Sequence, residues 1–120
     1  MRIIKFRGKD LNGEWVYGDL HTLCDRPHIH TAPSLYPYAG KRAFVDENTI
    51  GQYTGVNYKQ GREIYEGDIV QFFKMRLKVS WSDTTCSFIL ENDEMLLDLT
   101  EHNSRVCEII GNIHDNPELL

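Results

Sequence analysis

The chain has 120 residues, 13 Lys and Arg against 18 Asp and Glu, a formal net charge of −5, 41% hydrophobic and 26% charged residues. That length fits one compact unit with room for two subdomains and excludes folds the size of an eight-unit βα barrel. No apolar run approaches the ~20 residues that span a bilayer, and Met1-Arg2-Ile3-Ile4-Lys5-Phe6-Arg7 is broken by charge before a signal-peptide core could form. A cytoplasmic product without membrane partners is expected.

Charge is unevenly placed. Residues 1–90 hold 12 basic and 10 acidic side chains, net +2, whereas residues 91–120 hold one basic (Arg105) and eight acidic, net −7. Such asymmetry marks either a solvated face or a charged contact surface.

Period-two alternation dominates, so the expected class is mainly β with minor α. The first unit is a β-hairpin with arms Arg2 to Gly8 and Glu14 to Leu20, because Asn12-Gly13 supplies the positive φ of a tight turn. From His21 to Lys41 the alternation dissolves among Pro27, Pro33, Pro37, Gly40, Tyr36 and Tyr38, which reads as a long loop or edge segment with at most one short strand near His28 to Thr31. Ala43-Phe44-Val45 and Ile50-Gly51-Gln52-Tyr53 are strand candidates around a turn at residues 46–49, and a second turn covers residues 56–62. The clearest strand is expected within Ile69 to Trp81, where Phe73, Met75, Leu77, Val79 and Trp81 alternate with Lys74, Arg76, Lys78 and Ser80. Turns at residues 82–84 and 91–94 lead to strands at Cys86 to Glu91 and Met95 to Leu99, and Cys107 to Ile113 supplies the last. A helical turn is expected at Thr100 to Ser104, and Asn116-Pro117-Glu118 has the capping chemistry of another. The layout reads as an N-terminal β-hairpin region with its long loop (residues 1–60) and a C-terminal small antiparallel barrel (residues 61–120).

Four segments together resemble the YopX family, small proteins encoded by bacteriophages and prophages. They are Ile4-Lys5-Phe6-Arg7, the arm Val16-Tyr17-Gly18-Asp19-Leu20, the block Ile50-Gly51-Gln52-Tyr53-Thr54-Gly55 with Gly61-Arg62-Glu63-Ile64-Tyr65-Glu66-Gly67-Asp68-Ile69-Val70, and residues 108–120. The resemblance implies a mostly β protein without an agreed mechanism, able to self-associate, and it brings no catalytic residues or cofactor. Read physically, the central block is architectural. Gly67 permits a sharp bend into a barrel strand, Asp68 can accept backbone N–H groups left open there, and Tyr53 and Tyr65 pack beneath the turns with their hydroxyls bonded at the edge. The same turn enters the first strand of Src-homology-3-like barrels, an analogy of fold only.

Candidate chemistry is sparse. Cys24, His28 and His30, with His21 nearby, form a Cys-x3-His-x-His spacing, and two histidines two apart on a strand share a face, so these are candidate metal ligands. They lack the paired cysteines of a structural zinc site. Cys24, Cys86 and Cys107 are odd in number without a Cys-x-x-Cys pair and read as ordinary thiols, Cys86 and Cys107 in apolar strands that favour the neutral form. Asp93-Glu94 and Asp46-Glu47 read as turn residues. Lys74, Arg76 and Lys78 form a cationic stripe at ~6.6–7 Å intervals, with three open uses. It can keep an edge strand from pairing. It can meet the acids Asp98, Glu101, Glu108, Asp115 and Glu118 of a second copy. With Trp81 as a stacking platform it can bind nucleic acid, a use that the overall charge disfavours. The expectation is therefore a non-enzymatic binding protein that forms a homo-oligomer, with a nucleic-acid module and a metal protein as alternatives.

Overall fold

Tight turns organise the strands that follow. The computed structural model describes residues 2–31 and 42–120, and the chain divides into two compact units, Met1–Gln52 and Tyr53–Leu120.

In the first unit, β1 (Phe6–Lys9), β2 (Trp15–Leu23), β3 (Arg26–His30) and β4 (Arg42–Phe44) form antiparallel neighbours in the order β4-β3-β2-β1. Gly51 and Gln52, the first residues of β5 (Gly51–Asn57), pair with the other edge of β1. The β1–β2 hairpin is the expected one, its first arm starting at Phe6. In its turn Asp10 Oδ1 accepts the N–H groups of Asn12 and Glu14, each at 2.9 Å, and Gly13 takes a φ of 77°. The expectation of a loop beginning at His21 is corrected. β2 runs on to Leu23, Cys24 and Asp25 both take positive φ (51° and 61°), and β3 returns antiparallel. This is the backbone signature of a two-residue hairpin turn. Counted from the closing pair Leu23↔Arg26, the pair Thr22↔Pro27 exchanges no N–H···O bonds, so the proline ring removes none from that ladder. The rest of the expected loop, residues 32–41 with Pro33, Tyr36, Pro37, Tyr38, Gly40 and Lys41, lies outside the described residues. Gly18 is demanded by close approach, since a Cβ there would stand 2.2 Å from the His30 carbonyl oxygen. The turn expected at residues 46–49 is a single 3-10 turn, Glu47–Thr49, capped by Asp46. The buried Thr49 hydroxyl accepts the Lys9 N–H at 2.8 Å.

In the second unit the remainder of β5 pairs with β6 (Glu63–Tyr65). β7 (Asp68–Phe72), β8 (Met75–Ser82), β9 (Ser87–Glu91), β10 (Leu96–Asp98) and β11 (Cys107–Asn112) form an antiparallel sheet in the order β10-β9-β8-β7-β11. The short helix α1 (Glu101–Ser104) precedes β11, its Thr100 cap accepting the Asn103 N–H at 3.0 Å. Ile64, Val70, Leu77, Val79, Leu90, Cys107 and Ile109 make the core, with Val56, Tyr58, Phe72 and Met75 packed against it. The mainly β class is as expected. Among the described residues no ladder joins β10 to β11, so the small-barrel description fits loosely and the sheet itself is open.

The single strand expected over Ile69 to Trp81 is corrected to a hairpin. Phe73 and Lys74 form a two-residue turn with Phe73 at φ 55°, and Phe73, expected inside, is 71% exposed. Through this turn the inward positions change parity. Val70 and Phe72 share the core face with Leu77 and Val79, while Gln71 and the fully buried Ile69 share the opposite face with Arg76 and Lys78. Because Ile69-Val70 and Phe72-Phe73 are apolar at both parities, the alternation hides the change.

The Glu66-Gly67-Asp68 turn behaves as expected. Gly67 takes a φ of 90°, its N–H donates to Val79 O at 2.9 Å, and its carbonyl accepts the Ile113 N–H at 2.8 Å. Asp68, 3% exposed, accepts the Tyr65 N–H at 2.9 Å. Tyr53 and Tyr65 are buried with rings 5.7 Å apart. Their hydroxyls donate to Asn57 Oδ1 and to Glu63 Oε1.

Candidate functional site

The cationic stripe lies on the outer face of the second unit's sheet. Arg76 and Lys78 are on β8, two residues apart and therefore on one face, and Lys74 sits in the turn before them. The ladder fixes their neighbours. Gln71 lies between Arg76 on one side and Glu108 of β11 on the other, and Lys78 stands across from Glu91 of β9. Lys78 Nζ is 3.8 Å from Glu91 Oε1. Beyond Glu91 the chain turns, Asn92 Oδ1 accepting the N–H groups of Glu94 and Met95 at 2.8 Å each, which fixes Asp93 and Glu94 beside β8.

The result is a groove of about 730 Å³. Gln71, Lys74, Met75, Arg76 and Lys78 line it with Glu91, Asn92, Asp93, Glu94, Leu119 and Leu120. Its volume falls within the range of ligand sites. Arg76 Nη1 donates to the Leu119 carbonyl at 3.4 Å and the Arg76 carbonyl accepts from Asn92 Nδ2 at 3.3 Å, so the C-terminal segment rests on its own unit. Leu119 is half-buried there and Leu120 is 57% exposed.

The remaining residues singled out from the sequence are dispersed. Trp81 is on the opposite face of β8 from Arg76 and Lys78. Its ring lies 5.0 Å from that of Phe88, its cross-strand partner, and its Nε1 donates to Asp83 Oδ1 at 3.0 Å. Of the five acids, Glu108 shares a row with Gln71 and Arg76, and Asp98 lies at the β10 edge opposite Ile89. Glu101 pairs with Arg105 Nη2 at 3.1 Å on α1, Asp115 accepts from Asn112 Nδ2 at 3.0 Å, and Glu118 is exposed in the last 3-10 turn. The acids that line the groove are instead Glu91, Asp93 and Glu94, read from sequence as turn residues. Glu91 faces Lys78 because the β8–β9 hairpin closes on Ser82↔Ser87 around residues 83–86; the turn read at residues 82–84 would set Phe88 there, so the sequence reading carried no signal that could find these acids.

In the first unit His21 stands across from His28, their rings stacked 5.4 Å apart at 20°, and the His30 ring is 6.1 Å from that of His21. Cys24 occupies the exposed β2–β3 turn. Imidazole lone pairs lie in the ring plane, so two nearly parallel stacked rings do not converge on one ion. Among the described residues no group of three His, Cys, Asp or Glu side chains is placed to hold a metal. His28 is 7% exposed, and burial first, then the cationic neighbours His21, Arg42 and His30, lower its pKa below the usual 6.5. The strand reading of Cys86 is corrected, since it is exposed in the β8–β9 turn at φ 52°. Cys107 is buried, and burial pushes its thiol up to about 11, which keeps it neutral. Among the described residues no helix is long and apolar enough to cross a membrane.

No curated protein matches the chain. The fold is similar to that of protein EF1440 from Enterococcus faecalis, known from a crystal structure, at 23% identity and a TM-score of 0.61. The match covers 100% of this chain and 99% of that one. The description of the YopX protein family matches residues 5–120. With its Gly-Gln-Tyr-Thr-Gly block on β5 and its Glu-Gly-Asp turn built as described, the chain belongs to the YopX family.

Proposed function

We propose that this YopX-family chain is a non-enzymatic accessory protein of a phage or prophage, works in the bacterial cytoplasm by binding, and self-associates through the groove face of its second unit. The observation that carries this reading is the pairing of walls. Lys74, Arg76 and Lys78 line the same groove as Glu91, Asp93 and Glu94. A face with adjacent walls of opposite sign is complementary to itself. A two-fold axis through the groove lays each cationic wall on the acidic wall of the second copy, as an isologous interface requires. Phe73, 71% exposed in the same turn as Lys74, and Leu120 supply apolar area at the rim. The nucleic-acid reading finds less support, because three carboxylates repel a phosphate backbone and Trp81 is on the other face of β8. Light scattering over a concentration series at low and high salt tests the proposal. A dimer that weakens as salt rises is expected, and a strict monomer at every concentration in low salt overturns it.

A further inference from the structure

We propose that the face of β2, β3 and β4 in the first unit is a binding site for a small tetrahedral oxyanion of the phosphate type, held by Arg42 together with His21, His28 and His30. These four side chains line a depression of about 280 Å³ with Thr22 and Leu23. The ladder assembles them, since His21 is in register with His28 and Arg42 with His30. Two observations mark polar groups of the cluster as unpartnered among the described residues. The Arg42 side chain makes no hydrogen bond or ion pair among the described residues, and Nδ1 of the buried His28 has no partner there either. An unmade hydrogen bond at a buried polar atom such as His28 Nδ1 costs about 1–3 kcal/mol.

The charged neighbours of the cluster are of both signs. Asp19 stands on the same face across from His30, so one carboxylate faces one imidazole, while His21, His28 and Arg42 have cross-strand partners without a carboxylate. Arg7 of β1 holds its guanidinium 4.6 Å over the Trp15 ring, and Arg26 is 4.1 Å over the Phe44 ring. Burial first, and then the neighbouring His21, Arg42 and His30, lower the His28 pKa. A divalent cation is the wrong ligand for such a site, with a guanidinium among its walls and stacked rings that do not converge. An oxyanion fits, because a neutral imidazole offers one N–H donor, an imidazolium offers two and a charge, and a guanidinium offers a fork of donors to adjacent oxygens.

The test uses inorganic sulfate, whose charge is constant where imidazoles titrate, on the whole chain, with the histidine ring resonances followed by NMR. Saturable shifts of the His21, His28 and His30 rings are expected, with an affinity that rises about tenfold or more between about pH 8 and about pH 5.5 as imidazoles charge. Arg42→Gln, at an exposed position, is expected to lose the binding while the amide spectrum stays folded. Shifts that sodium chloride reproduces at matched ionic strength, undiminished binding by Arg42→Gln, or acetate binding as tightly as sulfate each overturn the proposal.

Discussion

Lys78 of β8 stands across the ladder from Glu91 of β9, its Nζ 3.8 Å from Glu91 Oε1, and this pair ties the cationic and acidic walls of the groove together. Both side chains are more than a third exposed, 37% and 35%, so solvent screens the pair and its contribution to folding is about 0–1 kcal/mol. Lys78→Gln is therefore expected to change the unfolding free energy from urea denaturation by no more than that while weakening association measurably. A loss of several kcal/mol would instead make the pair a folding element.

Asp68 is a different case. It is 3% exposed and its Oδ2 accepts the Tyr65 N–H at the entrance to β7, between two strands that feed the core. Asp68→Ala leaves that buried donor without an acceptor and is expected to destabilise the second unit by about 1–3 kcal/mol. Urea denaturation followed by intrinsic fluorescence measures it, and an unchanged midpoint contradicts the architectural reading of the Glu-Gly-Asp turn.

The first unit carries a pH term. The His28 pKa is lowered in the folded chain by burial first and then by His21, Arg42 and His30, so below the unfolded value of ~6.5 the unfolded chain binds the extra proton more readily. Stability is fully present above ~6.5 and is lost as pH falls through the folded pKa. Thermal melts in a non-coordinating, anion-poor buffer are expected to show a falling midpoint on acidification, with a shallower slope in His28→Phe. Equal slopes in the two proteins would assign the term elsewhere.

Legibility from the sequence followed the contrast between neighbouring residues. Strands where polar and apolar residues alternate sharply, such as Leu77 to Val79 against Arg76 to Ser80, could be read directly. The Asn12-Gly13 turn and the Gly67 bend were legible because glycine marks positive φ. Among the described residues four positive-φ turn residues carry bulkier side chains: Cys24 and Asp25 in one hairpin, Phe73 in another and Cys86 in a third. Cys24, Phe73 and Cys86 do not advertise a turn, and Asp25 alone, among prolines, does not distinguish a hairpin from a loop, so β2–β3 reads as a loop and β7–β8 as one strand. The groove was half legible. Its cations stood out as a stripe, but its acids belong to a turn that only the β8–β9 register brings alongside. The arginine and histidine cluster of the first unit depends likewise on cross-strand register, which sets residues 21, 28, 30 and 42 on one face.

Self-association through complementary walls is tested most directly by charge exchange. One variant reverses the cationic wall (Lys74→Glu, Arg76→Glu, Lys78→Glu) and the other the acidic wall (Glu91→Lys, Asp93→Lys, Glu94→Lys), with circular dichroism verifying that each stays folded. Each variant alone then presents two walls of one sign and is expected to be monomeric by light scattering at low salt. Mixed in equal amounts, the two are expected to form a one-to-one complex that dissociates as salt rises. Variants that associate alone as the parent does, or a mixture that stays monomeric, would contradict it.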